Sequence, residues 1–592
     1  MELGLAKQQG ADVESRGSTA TRLTIGVTSH RNLKASETAL IRERVRAFFT
    51  ALTRDFPTLP LTVLSALAEG GDQLVAEEAL AVDARVIAVL PMLRAQYAED
   101  FRDAAVRAHF DALCARAEVI ELPDISGNTL DRHAGAPSGL QRDLHYAQAG
   151  IYISSHCHIL LTIWDGKKTD RLGGTAQIVA YHLRGTRPPS IDRRRGNAAH
   201  APLGNDIERL AYQIVCSRDL PDGTPAPPLA PMQTYWLAGE RTTPGDAPMP
   251  EEFRAMFAHM AGFNADWAKY RTEIVAKVEQ RAASGATSAP VAAMDAMDWL
   301  FQAADWLAMH FQRRVYFAMR TIYTMAALMG IAFMCYADLP AQDYMIFVFL
   351  VLFAFGVSLS VLAQRRGWHR KYLDYRALAE GLRVQSYWRR AGLSVTADSE
   401  FAHDNFLQKQ DVELGWIRNV MRSAGLEGEI AKRPREPDAL ARVIGEWVGG
   451  SGGSGQLAYY ERRVLQRTRL HRITETLGAV SLWLGIAISV FLAVFFLRLS
   501  QDTKTELVSL MAAVSIIAAV REAYAYRKAD KELIKQYRFM CRIFSSARSA
   551  LDRTHDPGEQ REILRALGEA ALAEHAEWTL MHRERPLEHA RF

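Results

Sequence analysis

The sequence predicts a doubly wound α/β domain followed by an all-α membrane part with four transmembrane helices in two hairpins. Two observations carry this. Up to about residue 220, short apolar runs alternate with amphipathic stretches of helical period. Beyond residue 320, four long apolar runs pair across short polar turns.

The elements follow in order. Residues 1–20 are polar, lack the apolar core of a signal peptide and read as a disordered lead. "RLTIGVTSH" (Arg22–His30) is a strand ending in a Gly/Thr/Ser turn. Lys34–Phe56 is a helix with Leu40, Ile41, Val45, Phe48, Phe49 and Leu52 on one face. "LTVLSAL" is the second strand, "GDQLVAEEALAV" a helix and Arg85–Met92 the third strand. A helix over residues 98–117, the strand "EVIEL", a helix over Arg142–Cys157 and the strand His158–Gly166 complete the pattern. Strands alternating with helices indicate a parallel sheet covered on both faces, a Rossmann-like arrangement. The Pro/Gly-rich residues 221–250 mark a boundary, and a helix over Glu251–Arg281 follows.

The apolar runs are Thr321–Ala337, Tyr344–Ala363, Leu477–Leu497 and Leu507–Val520. The last has 14 residues, short for a span on its own, but its pairing with the third argues for a membrane hairpin. The outer flanks "RRGWHRK", "ERRVLQRTRLHR" and "REAYAYRKADK" are basic, and the turns "DLPAQD" and "RLSQDTKTE" are not. The positive-inside rule therefore puts both termini in the cytoplasm. Thr321 and Thr476, which open the hairpins, lie 155 residues apart, and a Tyr- and Arg-rich helix follows each hairpin. This suggests a duplicated unit. The expected division is 1–20, 21–245, a helical connector 246–314, a first hairpin unit 315–448, a flexible linker 449–455 and a second hairpin unit 456–592.

Charge and composition exclude some functions. Lys plus Arg is 71 against 67 for Asp plus Glu, which argues against a nucleic-acid binder. The five cysteines have no ligand spacing, and His30, His156 and His158 lack the partners of a metal site, so no metal is expected. The spans carry almost no ionisable residue, which argues against active transport.

Ligands of open parallel sheets bind beyond the carboxyl ends of the strands. Three Gly-containing turns are expected there: Gly26 with Thr28 and Ser29; Gly70, Gly71 and Asp72; and Asp165 and Gly166 with Gly173, Gly174 and Thr175. Glycine amides suit phosphate, Thr28, Ser29 and Thr175 offer hydroxyls, and Asp72 or Asp165 would accept from ribose. Asp72 at a helix start is equally suited to be an N-cap. No G-x-G-x-x-G or Walker A sequence is present.

"TIGVTSHR", "VLSALAEGGDQLVAEEAL", "WDG" and "GGTA" together resemble the SLOG superfamily, which includes nucleotide phosphoribohydrolases and the N-terminal region of TRPM channels. The hairpins and the ending "LRALGEAALAEHAEWTLMHRERPLE" resemble SLATT, the two-transmembrane effector family found with such sensors in bacterial conflict systems. The resemblance implies a homo-oligomeric inner-membrane effector in anti-phage defence. It would bind a nucleotide signal, a cyclic nucleotide or an ADP-ribose derivative, made by a partner enzyme, and permeabilise the lipid bilayer. Enzymatic members carry P-G-G-x-G-T-x-x-E; here Asp170 stands for the Pro and Ile178 for the Glu. That departure favours a binding pocket over catalysis. The alternatives are a membrane-anchored nucleotide N-glycoside hydrolase and a nucleotide-gated cation channel.

Overall fold

A computed structural model describes residues 21–123, 139–169, 171–184, 209–284, 294–339, 341–393, 406, 414–430, 438–449, 453, 455–528 and 530–583. The disordered lead expected over residues 1–20 and most of the linker expected at Gly449–Gly455 fall outside them. The chain divides into two compact units, Met1–Ala303 with Val395–Arg433, and Ala304–Ser394 with Pro434–Phe592.

The first unit is built on β1 (Leu23–Ser29), α1 (Thr38–Asp55), β2 (Leu61–Ser65), α2 (Gly71–Ala81), β3 (Arg85–Leu90), α3 (Arg94–Ala98), α4 (Ala104–Arg116) and β4 (Glu118–Glu121). It continues through α5 (Gly139–His156), β5 (Ile159–Trp164), α6 (Thr175–Arg184), β6 (Leu210–Val215), β7 (Thr234–Ala238), β8 (Arg241–Pro244) and α7 (Glu251–Ala283). Among the described residues the strands form one sheet in the order β4-β3-β2-β1-β5-β6-β7-β8. The first six pair in parallel. β7 and β8 add on antiparallel.

The parallel pairing holds for the strands the alternation predicts, and the correction falls on the Pro/Gly-rich boundary, part of which is a hairpin that extends the sheet. Gly239 and Glu240 form its two-residue turn, and Gly239 has φ +59°. A left-handed residue there matches the twist of the flanking strands.

The central strands read as continuous apolar runs because both of their sides are covered. Ile25, Val63, Ile87, Leu160 and Ile214 are all at 0% exposure, and each such side chain contributes about 1.5–3 kcal/mol by burial. Leu64, Val89, Tyr152, Ile153, Val179 and Leu426 join one core. Leu426 comes from a helix far along the chain, Gly415–Ile430.

The second unit is helical. It holds most of α8 (Ala296–Asp338), then α9 (Met345–Arg365) and α10 (Trp368–Arg390). The segment Gly415–Ile430, α11, belongs instead to the first unit. There Asn419 O accepts from His158 Nε2 at 3.0 Å and Ser423 Oγ donates to Arg22 O at 3.1 Å. The second unit resumes with α12 (Ala439–Val443), α13 (Gly455–Phe495), α14 (Gln501–Lys528), α15 (Asp530–Leu551) and α16 (Pro557–Arg583).

Among the described residues four helices are long and apolar enough to cross a membrane: α8, α9, α13 and the one beginning at Gln501. The short fourth run is therefore part of a 28-residue helix, α14. Its outward side chains, like those of α13, are uncovered. The two hairpins meet at Gly330 of α8, where a Cβ would lie 2.7 Å from Ile516 of α14. Tyr323 and Tyr524 stack edge to face beside this crossing.

Candidate functional site

Strand order reverses at β1, whose neighbours are β2 on one side and β5 on the other. The chain after β5 thus leaves the sheet beside the chain after β1. That adjacency gathers residues from four sequence segments around Ser29, His30 and Arg31.

Ser29 Oγ donates to Asp72 Oδ1, and Ser29 O accepts from Thr175 Oγ1 at 2.9 Å. The first turns of α2 and α6 are therefore both tied to the end of β1. His30 Nε2 lies 3.0 Å from Asp165 Oδ1, which also accepts from the Lys167 N–H at 3.0 Å. The Asp165 carbonyl accepts from Ala226 N at 2.8 Å, binding the loop before β7 to the same place.

Two glycines are demanded by this packing. Gly70 has φ +91°, and a Cβ there would sit 2.2 Å from Arg31 O, so the backbone of the 69–71 turn lies directly on the chain leaving β1. At Gly71 a Cβ would meet Ser29 Oγ at 2.6 Å. Gly173, Gly174 and Gly166 lie at the same edge. Gly26 does not. It sits within β1, where its missing side chain makes room for Ile153 and Cys157 of the α5 region. Thr28 is buried beside it in register with Thr162.

The expected phosphate cradle of glycine amides takes a different form here. Gly71 N donates to His30 O at 3.3 Å, Gly174 N to Arg171 O at 3.1 Å, and Gly173 N to Gln177 Oε1 at 2.7 Å. These amides hold the turns together. Asp72 is likewise turned inward, at 4% exposure, and Gly70 rather than Asp72 occupies the N-cap position of α2.

The two carboxylates have opposite character. Burial pushes Asp72 up to about 6, against the Ser29 hydrogen bond and the Arg31 charge. Burial also acts to raise Asp165, but the His30 hydrogen bond and charge outweigh it and hold that carboxyl below its usual range.

Sequence reasoning missed the cationic side of the site. Arg31 is exposed, and its guanidinium lies 5.0 Å from the centre of the Tyr146 ring. Tyr146 hydroxyl donates to Asp100, which also pairs with Arg142. Arg31 directly follows the flagged "TSH", but Tyr146 and Asp100 come from α5 and the end of α3, and no local motif links them.

The other histidines are occupied. His158 Nδ1 accepts from Thr24 N at 3.0 Å, which leaves Nε2 to donate to Asn419 O. Burial pushes His158 down to about 3, so it stays neutral. Ile178 is 2% exposed and lies on Gly150, where a Cβ would approach it to 2.4 Å. Position 178 is thus part of the core. Among the described residues no group of three His, Cys, Asp or Glu side chains is placed to hold a metal. In comparison with known proteins, no family model and no curated sequence matches the chain, so its functional reading rests on this convergence of Ser29, His30, Arg31, Asp72, Asp165 and Thr175.

Proposed function

We propose that the chain is a nucleotide-sensing membrane effector. Its first unit, a doubly wound Rossmann-like domain of SLOG type, binds a nucleotide-derived signal. Its four spans, as SLATT-like hairpins in a homo-oligomer, then permeabilise the bacterial inner membrane, with both termini cytoplasmic. The observation that carries the reading is the meeting of Asp72, Asp165 and Thr175 on Ser29 and His30, where strand order reverses, in a chain whose described residues include four long apolar helices. Crevices at such reversals are where open α/β sheets take their ligands. Arg31 supplies a fixed positive charge for phosphate, and Tyr146 offers a ring face for a base. The signal must bind one state of the membrane part better than the other, because a ligand without differential affinity moves nothing.

The test is thermal unfolding of the full chain in detergent against cyclic nucleotides and ADP-ribose derivatives, with product analysis on every hit. A ligand at a hundred times its Kd stabilises by about 2.7 kcal/mol. The expected result is a shift for the wild type that Arg31→Ala reduces, with the ligand recovered intact. If no nucleotide moves the unfolding temperature, the reading fails.

A second reading, a membrane-anchored N-glycoside hydrolase, is favoured by the opposite character of Asp72 and Asp165, since carboxylates pushed apart in this way divide acid and base roles. Ile178 counts against it. A nucleotide consumed in the same assay would select it.

A further inference from the structure

Helix α13 carries an unpaired positive site just outside its apolar run. Arg469 and Arg472 are both exposed and line one shallow groove with Leu465, Thr468, Ile473 and Leu477. Neither guanidinium has a carboxylate partner among the described residues. The nearest acid on the helix, Glu475, is taken by His471 at 3.1 Å and by Lys531 at 3.5 Å. Thr468 Oγ1 is shielded from solvent and makes no hydrogen bond among the described residues.

The spacing fits a membrane surface. The apolar run starts at Leu477, five residues beyond Arg472 and eight beyond Arg469. At 1.5 Å per residue the two lie about 7.5 and 12 Å up the axis. The headgroup layer extends about 5–7 Å beyond the hydrocarbon on each side. With Leu477 at the hydrocarbon edge, Arg472 stands level with the lipid phosphates and Arg469 directly behind it. Below them the same face continues through Val480, Trp483, Val490 and Val494, exposed by 57%, 68%, 57% and 69%.

We propose that Arg472, with the long side chain of Arg469 behind it, binds the phosphate headgroup of an anionic phospholipid whose acyl chain lies along Leu477, Val480 and Trp483. The inference rests on α13 crossing a bilayer, and not on what the first unit binds. A guanidinium fork grips phosphate oxygens in pairs. The uncovered apolar stripe beneath selects a lipid over a free anion.

The test uses the full chain in detergent, with phosphatidylglycerol and phosphatidylcholine adducts counted by native mass spectrometry. Vesicle flotation run in parallel reports membrane insertion. Wild type is compared with Arg469→Gln/Arg472→Gln and with Arg442→Gln/Arg462→Gln, which removes equal charge elsewhere. The expected result is a preference for phosphatidylglycerol that falls about 30-fold in the first variant alone, each of the two arginines near an anionic surface contributing a factor of about five. All three proteins should float and unfold at one temperature. Equal loss in both variants would reduce the effect to general charge attraction and overturn the site. So would displacement of the lipid by millimolar inorganic phosphate, or floating protein with no lipid preference. A wild type that fails to float would overturn the membrane reading itself, and this site with it.

Discussion

At the residue scale, Asp72 sets a testable trade-off. Its carboxyl titrates near 6 in the fold against 3.8 as a free group. The fold therefore holds a proton that the unfolded chain has released between those values, and stability falls as pH rises through that window. Above pH 6 the full cost is in place, about 3 kcal/mol for a shift of this size. Asp72→Asn keeps an acceptor for Ser29 Oγ without the ionisation. It should raise the unfolding temperature at pH 8 and leave it unchanged below pH 4, as scanning calorimetry at the two pH values would show. Equal effects at both would mean that ionisation is not the cause. Gly70→Ala is expected to act oppositely, because its Cβ would lie 2.2 Å from Arg31 O at a φ of +91°. Overpacking and backbone strain together should cost about 2–4 kcal/mol, measured by urea unfolding. The strand-end turns at 70–72 and 173–175 were legible because glycine marks close backbone approach. What those glycines approach was not. Their amides bond to His30 O, Arg171 O and Gln177 Oε1, and Arg31 meets its ring partner Tyr146 through tertiary packing that no local spacing announces.

At the element scale, the helix after the first hairpin carries a nearly buried charge cluster. Glu380 of α10 pairs with Arg383 at 2.9 Å and with Arg376, and both arginines approach Asp305 at 3.9 and 3.7 Å. Burial acts to raise Glu380, but Arg383 and Arg376 outweigh it and bring the carboxyl down to about 2 from 4.5. Its contribution is present above pH 4.5 and is lost as pH falls toward 2. Glu380→Gln leaves two guanidinium groups facing each other and should cost about 3–5 kcal/mol at neutral pH. It should also flatten the acid limb of the wild-type stability profile, which chemical denaturation from pH 7 to 2.5 would resolve. β1, β2, β3 and β5 were readable as apolar runs closed by turns, three of the long apolar helices by length and the fourth by its pairing with the third. The β7–β8 hairpin was not, because the Pro and Gly density around Gln233–Asp246 imitates a linker, and pairing with β6 is a non-local event. Helix α11 shows the same limit: nothing in residues 415–430 announces its partners, His158 and the core that Leu426 joins, which come from far earlier in the chain.

At the scale of the whole molecule, the chain passes from the first unit to the second inside α8, after Ala303. If a signal travels along the chain, this is one route it must take. Two glycines inserted between Ala303 and Ala304 weaken the helix there by about 1 kcal/mol each. The expected outcome is that nucleotide binding by the first unit survives while ligand-dependent leakage from vesicles is lost. Unchanged leakage would rule out transmission through α8. The chain makes two further passages, after Ser394 and after Arg433, because α11 belongs to the first unit. This has a genetic consequence. A gene fragment ending at Ala303 would encode a sheet without the helix that caps His158 and fills the core with Leu426, and one starting at Ala304 would encode spans burdened with a helix folded for another body. Neither half can be exchanged by a single recombination junction. A unit grafted in place of the first has to replace residues 414–430 as well, so the two units must be inherited together.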